Sequence, residues 1–336
     1  MHIATRIRRA STSLLLAVGV VAAGSAFGAD FEWKFFTYFG ANDLPTNMHR
    51  AFAEDVSKAS GGRLKITVYS GGELPYKFSD VLRVVATNQV QMGDLAVGLN
   101  SGELPGLSVF DLPFLCTSFE TFFKAVGAVA PSVDSALQSK FGIGSLIHWT
   151  MPPQQIWLSA PITKIEDLKG RKIRNWSRMH VDMLAGFGAS AATVSAAEVT
   201  ISLERKVVDG AITAAIPAYD WKFYEVAKYG YMLDFQMSHQ IVAINQAELA
   251  KLPADLQKIV RDKSQEWAPK YRKTIEDGET AARQRLVEKG ETLITPTAAD
   301  VVKARTSTRP MWEAWAKQGG AVSQNLLAAA SNACLK

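Results

Sequence analysis

After its first thirty residues the sequence alternates between strand-like and helix-like segments, and this order most restricts the folds open to the chain. Residues 31–40 and 63–70 alternate apolar and polar side chains, as half-buried strands do. Between them, residues 47–60 place apolar side chains at helical spacing. A helix over 79–88 and a short strand within 91–98 follow. The β-α-β-α-β order predicts a mainly parallel sheet with helices on its faces.

The rest of the chain continues the same alternation. Pro152 and Pro153 interrupt one strand, which then resumes, and residues 171–177 and 239–249 read as further strands. A long polar helix is predicted from about Pro253 to Gly290, with a kink near Pro269. No internal repeat is visible. Roughly 308 residues follow the N-terminal segment, more than one typical domain holds, so two lobes are expected.

The N-terminal segment has the pattern of a secretory signal peptide. Arg6, Arg8 and Arg9 form a basic stretch, residues 14–23 are apolar, and the small residues of AAGSAFGA follow. The apolar stretch is shorter than the ~20 residues that span a bilayer, which disfavours a membrane anchor. We expect residues 1–28 to be removed near Gly28 or Ala29, and the mature protein to be exported to the periplasm.

Charge and cysteine content exclude several classes of protein. Removing the three arginines of the signal from 37 basic residues leaves 34 against 32 acids, a net charge of +2 that does not favour nucleic acid. Cys116 and Cys334 are too few for a disulfide scaffold; they either pair or remain as one buried thiol and one C-terminal thiol. Five histidines without metal-type spacing predict no metal site, and no cofactor is implied.

The sequence carries no catalytic signature. It contains no G-x-S-x-G elbow, no phosphate-binding P-loop and no H-E-x-x-H motif. His148 and His239 have no neighbouring partner in the sequence that would mark them as bases. An exported two-lobed α/β protein of this kind is predicted to capture a ligand rather than to be an enzyme. An enzyme on the same scaffold, or the ligand-binding partner of a sensor, stays possible at this point.

One basic stretch stands out. In LKGRKIRNWS (168–177), Arg174 follows Ile173 and precedes Asn175 and Trp176, at the end of a predicted short strand. The neighbouring basic residues read as solvated surface. A guanidinium offers a planar pair of donors that matches a carboxylate, and near a cleft wall it is costly without an anionic partner.

Several motifs together resemble the substrate-binding proteins of tripartite ATP-independent periplasmic (TRAP) transporters, of the C4-dicarboxylate-binding DctP type. They are DLKGRKIR, GFGASAATVSAAEV, LERKVVDGA and YEVAKYG within 167–230, and GGEL, VFDLPFL and LPADLQKIVRDKSQEWAP outside that region. Their order matches the family's over nearly all of the mature chain. The resemblance implies an α/β, two-lobed, class II-like periplasmic-binding-protein fold, with mixed, mainly parallel sheets joined by a hinge and a long helix.

The family pattern also implies an organisation and a role. We expect residues 29–151 and 240–279 to form one lobe, and 152–239 and 280–336 the other. The lobes would close over a carboxylate ligand that the family's K-I-R arginine, here Arg174, clamps. The loaded protein, mostly a monomer, would deliver its ligand to the small and large TRAP membrane subunits for uptake driven by an ion gradient. Some relatives hold a cation beside the ligand, although none is implied here.

The sequence departs from the family pattern at three places. Pro153 or Gln154 stands where many members have a second arginine. Thr213 stands at or next to a frequent asparagine, and Asn175–Trp176 replaces a small residue followed by proline. One cation and one amide are thus lost, and an aromatic side chain is gained.

These departures predict a ligand with one carboxylate and an apolar body, such as a 2-oxo acid or an aromatic acid. Trp176 would stack on that body, and Tyr38 and Gln240 occupy positions where relatives contact the ligand or line the hinge. Trp149 and Trp157 are further wall candidates, although core packing explains them better. A dicarboxylate or a sugar acid remains possible if Arg178 enters the cleft.

Overall fold

The computed structural model describes residues 29–104 and 106–335, so the predicted signal peptide lies outside the described residues. The strands are β1 (Phe31–Phe36), β2 (Leu64–Tyr69), β3 (Met92–Ala96), β4 (Ile143–Met151), β5 (Gln155–Leu158), β6 (Lys172–Asn175), β7 (Ser190–Thr193), β8 (Gly210–Thr213), β9 (Tyr229–Tyr231), β10 (Ser238–Asn245) and β11 (Thr292–Ile294). The helices are α1 (Leu44–Ala59), α2 (Val81–Ala86), α3 (Phe119–Phe141), α4 (Arg178–Gly186), α5 (Val199–Glu204), α6 (Ala215–Asp220), α7 (Phe223–Val226), α8 (Gln246–Lys251), α9 (Ala254–Glu288), α10 (Ala298–Gln318) and α11 (Gly320–Cys334). None of the helices in this part of the chain is long and apolar enough to cross a membrane.

The strands form two mixed sheets. The first has the order β2-β1-β3-β10-β4, with β1 parallel to both neighbours and β10 antiparallel to both. The second has the order β11-β9-β5-β8-β6-β7. Strand β6 is parallel to its neighbours β8 and β7, and β5 is antiparallel to its neighbours β9 and β8. Each sheet belongs to its own lobe, so the two-lobed α/β class is confirmed.

The chain changes sheet where proline prevents a strand from continuing. β4 ends at Met151 in the first sheet, and after Pro152 and Pro153 the next strand, β5, begins in the second. The return runs between β9 and β10, and the two crossing segments pair: Gln154 N donates to Gln236 O at 2.8 Å, and Phe235 N to Gln154 O at 3.2 Å. This double crossing is the hinge between the lobes.

Helix α9 provides a third connection. Its 35 residues run through Pro269 without interruption, close to the predicted range, and the predicted kink stays a prediction. The helix packs against β4 of the first sheet and against α6, which follows β8 of the second. Its buried positions, among them Leu256, Val260, Tyr271 and Ile275, recur at helical spacing and face the core.

The C-terminal helices return to the first lobe. Helix α11 packs against α3, and a disulfide joins Cys116 to Cys334, which resolves the two alternatives for these cysteines. Trp312 and Trp315 lie in the same hydrophobic core as α3. The predicted boundaries put residues 280–336 in the second lobe; we propose to place α11 in the first, because its apolar face is buried there. The other boundaries stay predictions.

Candidate ligand-binding site

A single cavity between the two sheets is lined by all six side chains that the sequence singled out. They are Tyr38, Gln154, Arg174, Trp176, Thr213 and Gln240. The cavity has a volume of about 500 Å³, part of it open to solvent. The space between the lobes in this conformation therefore suits a small molecule.

Arg174 is the charged group of this cavity. It lies on β6, where backbone pairing sets Arg174 beside Ala211 and Ala192, and only 3% of the residue is exposed. Its Nε donates to Val194 O and its Nη1 to Ile212 O, both at 2.9 Å. Burial lowers the pKa of its guanidinium to about 9, which leaves it charged at neutral pH.

No carboxylate within 29–104 or 106–335 forms an ion pair with this guanidinium. Two backbone carbonyls orient the group, but they do not neutralise its charge. A buried cation in this condition is costly, and an anion bound in the cavity would relieve the cost. No acid, lysine or second arginine is among the described residues that line the cavity. Arg178, the candidate second cation, is exposed at the start of α4, outside this lining.

Gln154 and Trp176 form one side of the cavity. The indole Nε1 of Trp176 donates to Gln154 Oε1 at 3.1 Å, and Gln154 Nε2 donates to Pro152 O at 3.0 Å. The Trp176 ring also meets the ring of His180 edge to face, with 4.7 Å between centroids. The amide of Gln154 is thus held in position by a tryptophan and by the backbone of the crossing segment.

Tyr38 and Gln240 form the opposite side, from the first sheet. The Tyr38 hydroxyl donates to Gln240 Oε1 at 3.0 Å, and Gln240 Nε2 donates to Ser238 Oγ at 2.8 Å. Burial, with the negative charge of Asp94, raises the pKa of Tyr38 well above its ordinary value, so the phenol stays protonated. Thr213, at the end of β8, completes the set.

A buried polar network supports the Trp176 side from behind. Gln236 Nε2 donates to Asp111 Oδ1 at 3.1 Å, which leaves Gln236 Oε1 facing His180 Nε2 at 2.5 Å. Ser177 Oγ donates to the other oxygen of Asp111 at 3.2 Å. Burial lowers the pKa of His180 to about 3 and raises that of Asp111 to about 7, so His180 is neutral and donates through its Nε2–H.

The structure also separates the tryptophans. Trp149 and Trp157 are fully buried in the core and do not line the cavity, as the core-packing alternative predicts. Trp221, which the sequence did not single out, does line it, together with Phe39, Phe78, Leu99, Met151 and Pro217. The sequence offered one signal for Trp221, namely its position: it is an aromatic residue soon after the predicted strand that ends at the candidate contact Thr213.

Comparison with known proteins agrees with this geometry. The model of the DctP family, described as bacterial extracellular solute-binding protein, family 7, matches residues 36–318. The chain belongs to this family. It is a solute-binding protein of the TRAP type and shares the two-lobed fold of its relatives.

Three relatives illustrate the degree of similarity. The crystal structure of DctP6 from Bordetella pertussis, an extracytoplasmic solute receptor binding pyroglutamic acid, is 27% identical, with a TM-score of 0.86 over 90% of this chain and 99% of that one. Uncharacterized protein YiiZ of Salmonella typhimurium is 28% identical over 62% of this chain and 64% of its own. The C4-dicarboxylate-binding protein DctB of Bacillus subtilis is 30% identical over 58% of this chain and 56% of its own. The chain thus spans less than two thirds of these two curated relatives.

Proposed function

We propose that this protein is the periplasmic receptor of a TRAP transporter and captures a small organic acid with one carboxylate. Arg174 binds the carboxylate, the two lobes enclose it, and the loaded receptor delivers it to the membrane subunits for uptake driven by an ion gradient. Membership of the family and the interlobe position of the cavity support this function.

One observation carries the proposal: a buried guanidinium lines the cavity without a carboxylate partner among the described residues. Because Nε and Nη1 are already held by backbone carbonyls, the group has a fixed orientation before any ligand arrives. A carboxylate then gains charge-assisted hydrogen bonds without the entropy cost of ordering a flexible arginine. The same bonds would be weak on the surface, where water competes for both partners.

The lining favours a single carboxylate and a compact body. Apart from Arg174, the polar groups are neutral amides and hydroxyls, namely Gln154, Thr213, Gln240, Ser238 and Tyr38. A second carboxylate would meet no second cation there. Pyroglutamate, the ligand of the Bordetella pertussis receptor, is a monocarboxylate whose ring amide could bond to such groups. We therefore propose pyroglutamate as the first ligand to test, with 2-oxo acids and aromatic acids in the same class.

A thermal-shift screen of the ligand-stripped mature protein tests this function. The panel contains pyroglutamate, pyruvate, benzoate, succinate and galacturonate, each measured with wild type, Arg174→Ala and Arg178→Ala. A ligand at a hundred times its Kd adds about 2.7 kcal/mol of stability, a shift of several degrees in Tm. We expect a monocarboxylate to stabilise wild type and Arg178→Ala but not Arg174→Ala.

Other outcomes would change the proposal in defined ways. Stabilisation by succinate or galacturonate alone would replace the monocarboxylate class by one with more polar groups. A response that Arg178→Ala abolishes would show that a second cation enters the cleft. If no organic acid stabilises the protein, or if Arg174→Ala responds as wild type does, the proposed clamp is refuted.

A further inference from the structure

Two short segments from opposite lobes meet at the edge of the ligand cavity. Asp43 and Leu44, at the start of α1, face Asp220 and Trp221, at the end of α6. The Trp221 indole Nε1 donates to Asp43 Oδ2, and the Leu44 amide donates to Asp220 Oδ2, both at 3.2 Å. Helix α1 packs on the first sheet, whereas α6 follows β8 of the second. Both bonds therefore join the lobes, in reciprocal directions.

The four residues complement one another at this point. Leu44 is the first residue of α1, so its amide has no acceptor within the helix, and a carboxylate at a helix N-terminus is electrostatically favoured. Asp43 is 7% exposed, and its Oδ2 also accepts from Gly40 N at 2.8 Å, which holds the carboxylate in place for the indole. If the lobes separated, each group would return to water. The two bonds therefore stabilise the form in which these two segments face each other.

Trp221 connects these bonds to the ligand site. Its ring lines the cavity, and the centroid lies 6.0 Å from Cζ of Arg174, at the outer limit of a cation–π contact. The same side chain also lines the neighbouring outer recess, together with Asp43. One residue thus forms a wall of the cavity, faces the anchoring cation and bonds to the opposite lobe.

We infer that the bonds Trp221–Asp43 and Leu44–Asp220 form a latch that sets how long the closed receptor retains its ligand, with Trp221 as the positioning residue. This inference rests on the proposed function, because retention has meaning only for a ligand held between the lobes. The latch acts after the ligand has entered, so it slows release without changing the first encounter.

The variant Trp221→Phe tests the latch, because it keeps an aromatic ring in the wall while it loses the indole N–H together with the five-membered ring that carries it. Dissociation and association of radiolabelled pyroglutamate are measured by isotope chase and rapid filtration. We expect release to be about tenfold faster, which is the effect of losing one hydrogen bond to a charged group in the closed form only, and association to change less than twofold. Asp43→Ala should give the same effect, and the double variant no more than either alone.

The chain offers a matched control. Trp267 Nε1 donates to Asp55 Oδ2 at 2.7 Å, which joins α9 to α1 instead of joining the lobes across the cavity. Trp267→Phe removes the same kind of bond and should leave both rates at the wild-type value, even if it lowers Tm. The latch would be overturned if Trp221→Phe released the ligand at the wild-type rate. It would also be overturned if Trp267→Phe released the ligand as fast as Trp221→Phe does.

A second measurement follows the Leu44–Asp220 bond directly. The Leu44 amide should exchange with deuterium faster in Asp220→Ala than in wild type, as followed by NMR, and Asp220→Asn, which keeps an acceptor, should restore part of the protection. Equal exchange in wild type and Asp220→Ala, with and without pyroglutamate, would overturn the latch. If wild type binds no organic acid, the proposed function fails separately, and the exchange data still decide whether the latch forms.

Discussion

Replacing Arg174 by methionine separates a ligand-binding role from a structural one. Methionine is unbranched and fills a similar path through the cavity wall, but it carries no charge and donates no hydrogen bond. If Arg174 is an anchor, the variant loses affinity for the ligand while the ligand-free protein stays folded. If Arg174 mainly holds the second sheet together, the variant unfolds more easily.

The structure gives the size of both effects. Burial lowers the pKa of Arg174 to about 9, and each pKa unit corresponds to about 1.4 kcal/mol, so holding the charge in the ligand-free cavity costs roughly 4 to 5 kcal/mol. A bound carboxylate can recover much of this cost. Truncating one partner of a buried charge pair costs about 2 to 5 kcal/mol, so the affinity should fall roughly thirtyfold to several thousandfold.

The stability of the ligand-free protein should not fall, because two contributions oppose each other and the favourable one is larger. Removing an unpaired buried cation relieves its desolvation cost, whereas Val194 O and Ile212 O lose their donors, at about 1 kcal/mol each. The relieved cost, roughly 4 to 5 kcal/mol, exceeds the loss of about 2 kcal/mol, so we expect ligand-free Arg174→Met to be no less stable than wild type.

Calorimetric titration at pH 7 and denaturant unfolding without ligand measure the two quantities. Arg178→Met is the matched control, since it removes an exposed arginine outside the cavity lining. Arg174→Lys keeps a positive charge but loses the planar pair of donors, so its affinity for the ligand should lie between those of wild type and Arg174→Met. Binding by Arg174→Met within threefold of wild type would refute the anchor, as would a stability loss large enough to explain the weaker binding.

Three further predictions concern the supporting structure. Replacing Cys116 and Cys334 by serine should lower the free energy of unfolding, measured with denaturant, by up to about 5 kcal/mol, because the disulfide closes a loop with a sequence separation of 218. Ligand affinity should not change. An unaltered free energy of unfolding would contradict this estimate, which rests on the entropy of the unfolded chain. Burial raises the pKa of Glu291 to about 8, so this carboxyl group should make wild-type stability fall as pH rises from about 5 to 8. Because the pKa of Asp111 is raised as well, Glu291→Gln should reduce the difference in Tm between these two pH values without abolishing it; an unchanged difference would contradict the assignment. Trp176→Phe should weaken ligand binding about two- to tenfold in calorimetry, because it frees the side chain of Gln154. In a protein that already carries Gln154→Ala, this bond is absent, so its loss should weaken binding no further.

The sequence predicted the elements of the fold well because their signals are local. Alternation marked β1 and β2, helical spacing marked α1, and the long helix α9 runs over nearly the predicted residues. The family motifs extended this local information to the class of fold and to Arg174. The candidates for the cavity wall show the limit of the sequence: Trp149 and Trp157 are core residues, whereas Trp221, with the same side chain, lines the cavity.

The sequence by itself thus determined the order of strands and helices, the two-lobed class and the position of the one candidate anchor. The tertiary structure alone decided that Cys116 pairs with Cys334, that no carboxylate in the described part of the chain neutralises Arg174, and that Trp221 meets Asp43 across the lobes. The physical reason is that periodicity and turn residues act over a few positions. Burial, charge pairing and closure depend on which distant segments the packed sheets bring into contact.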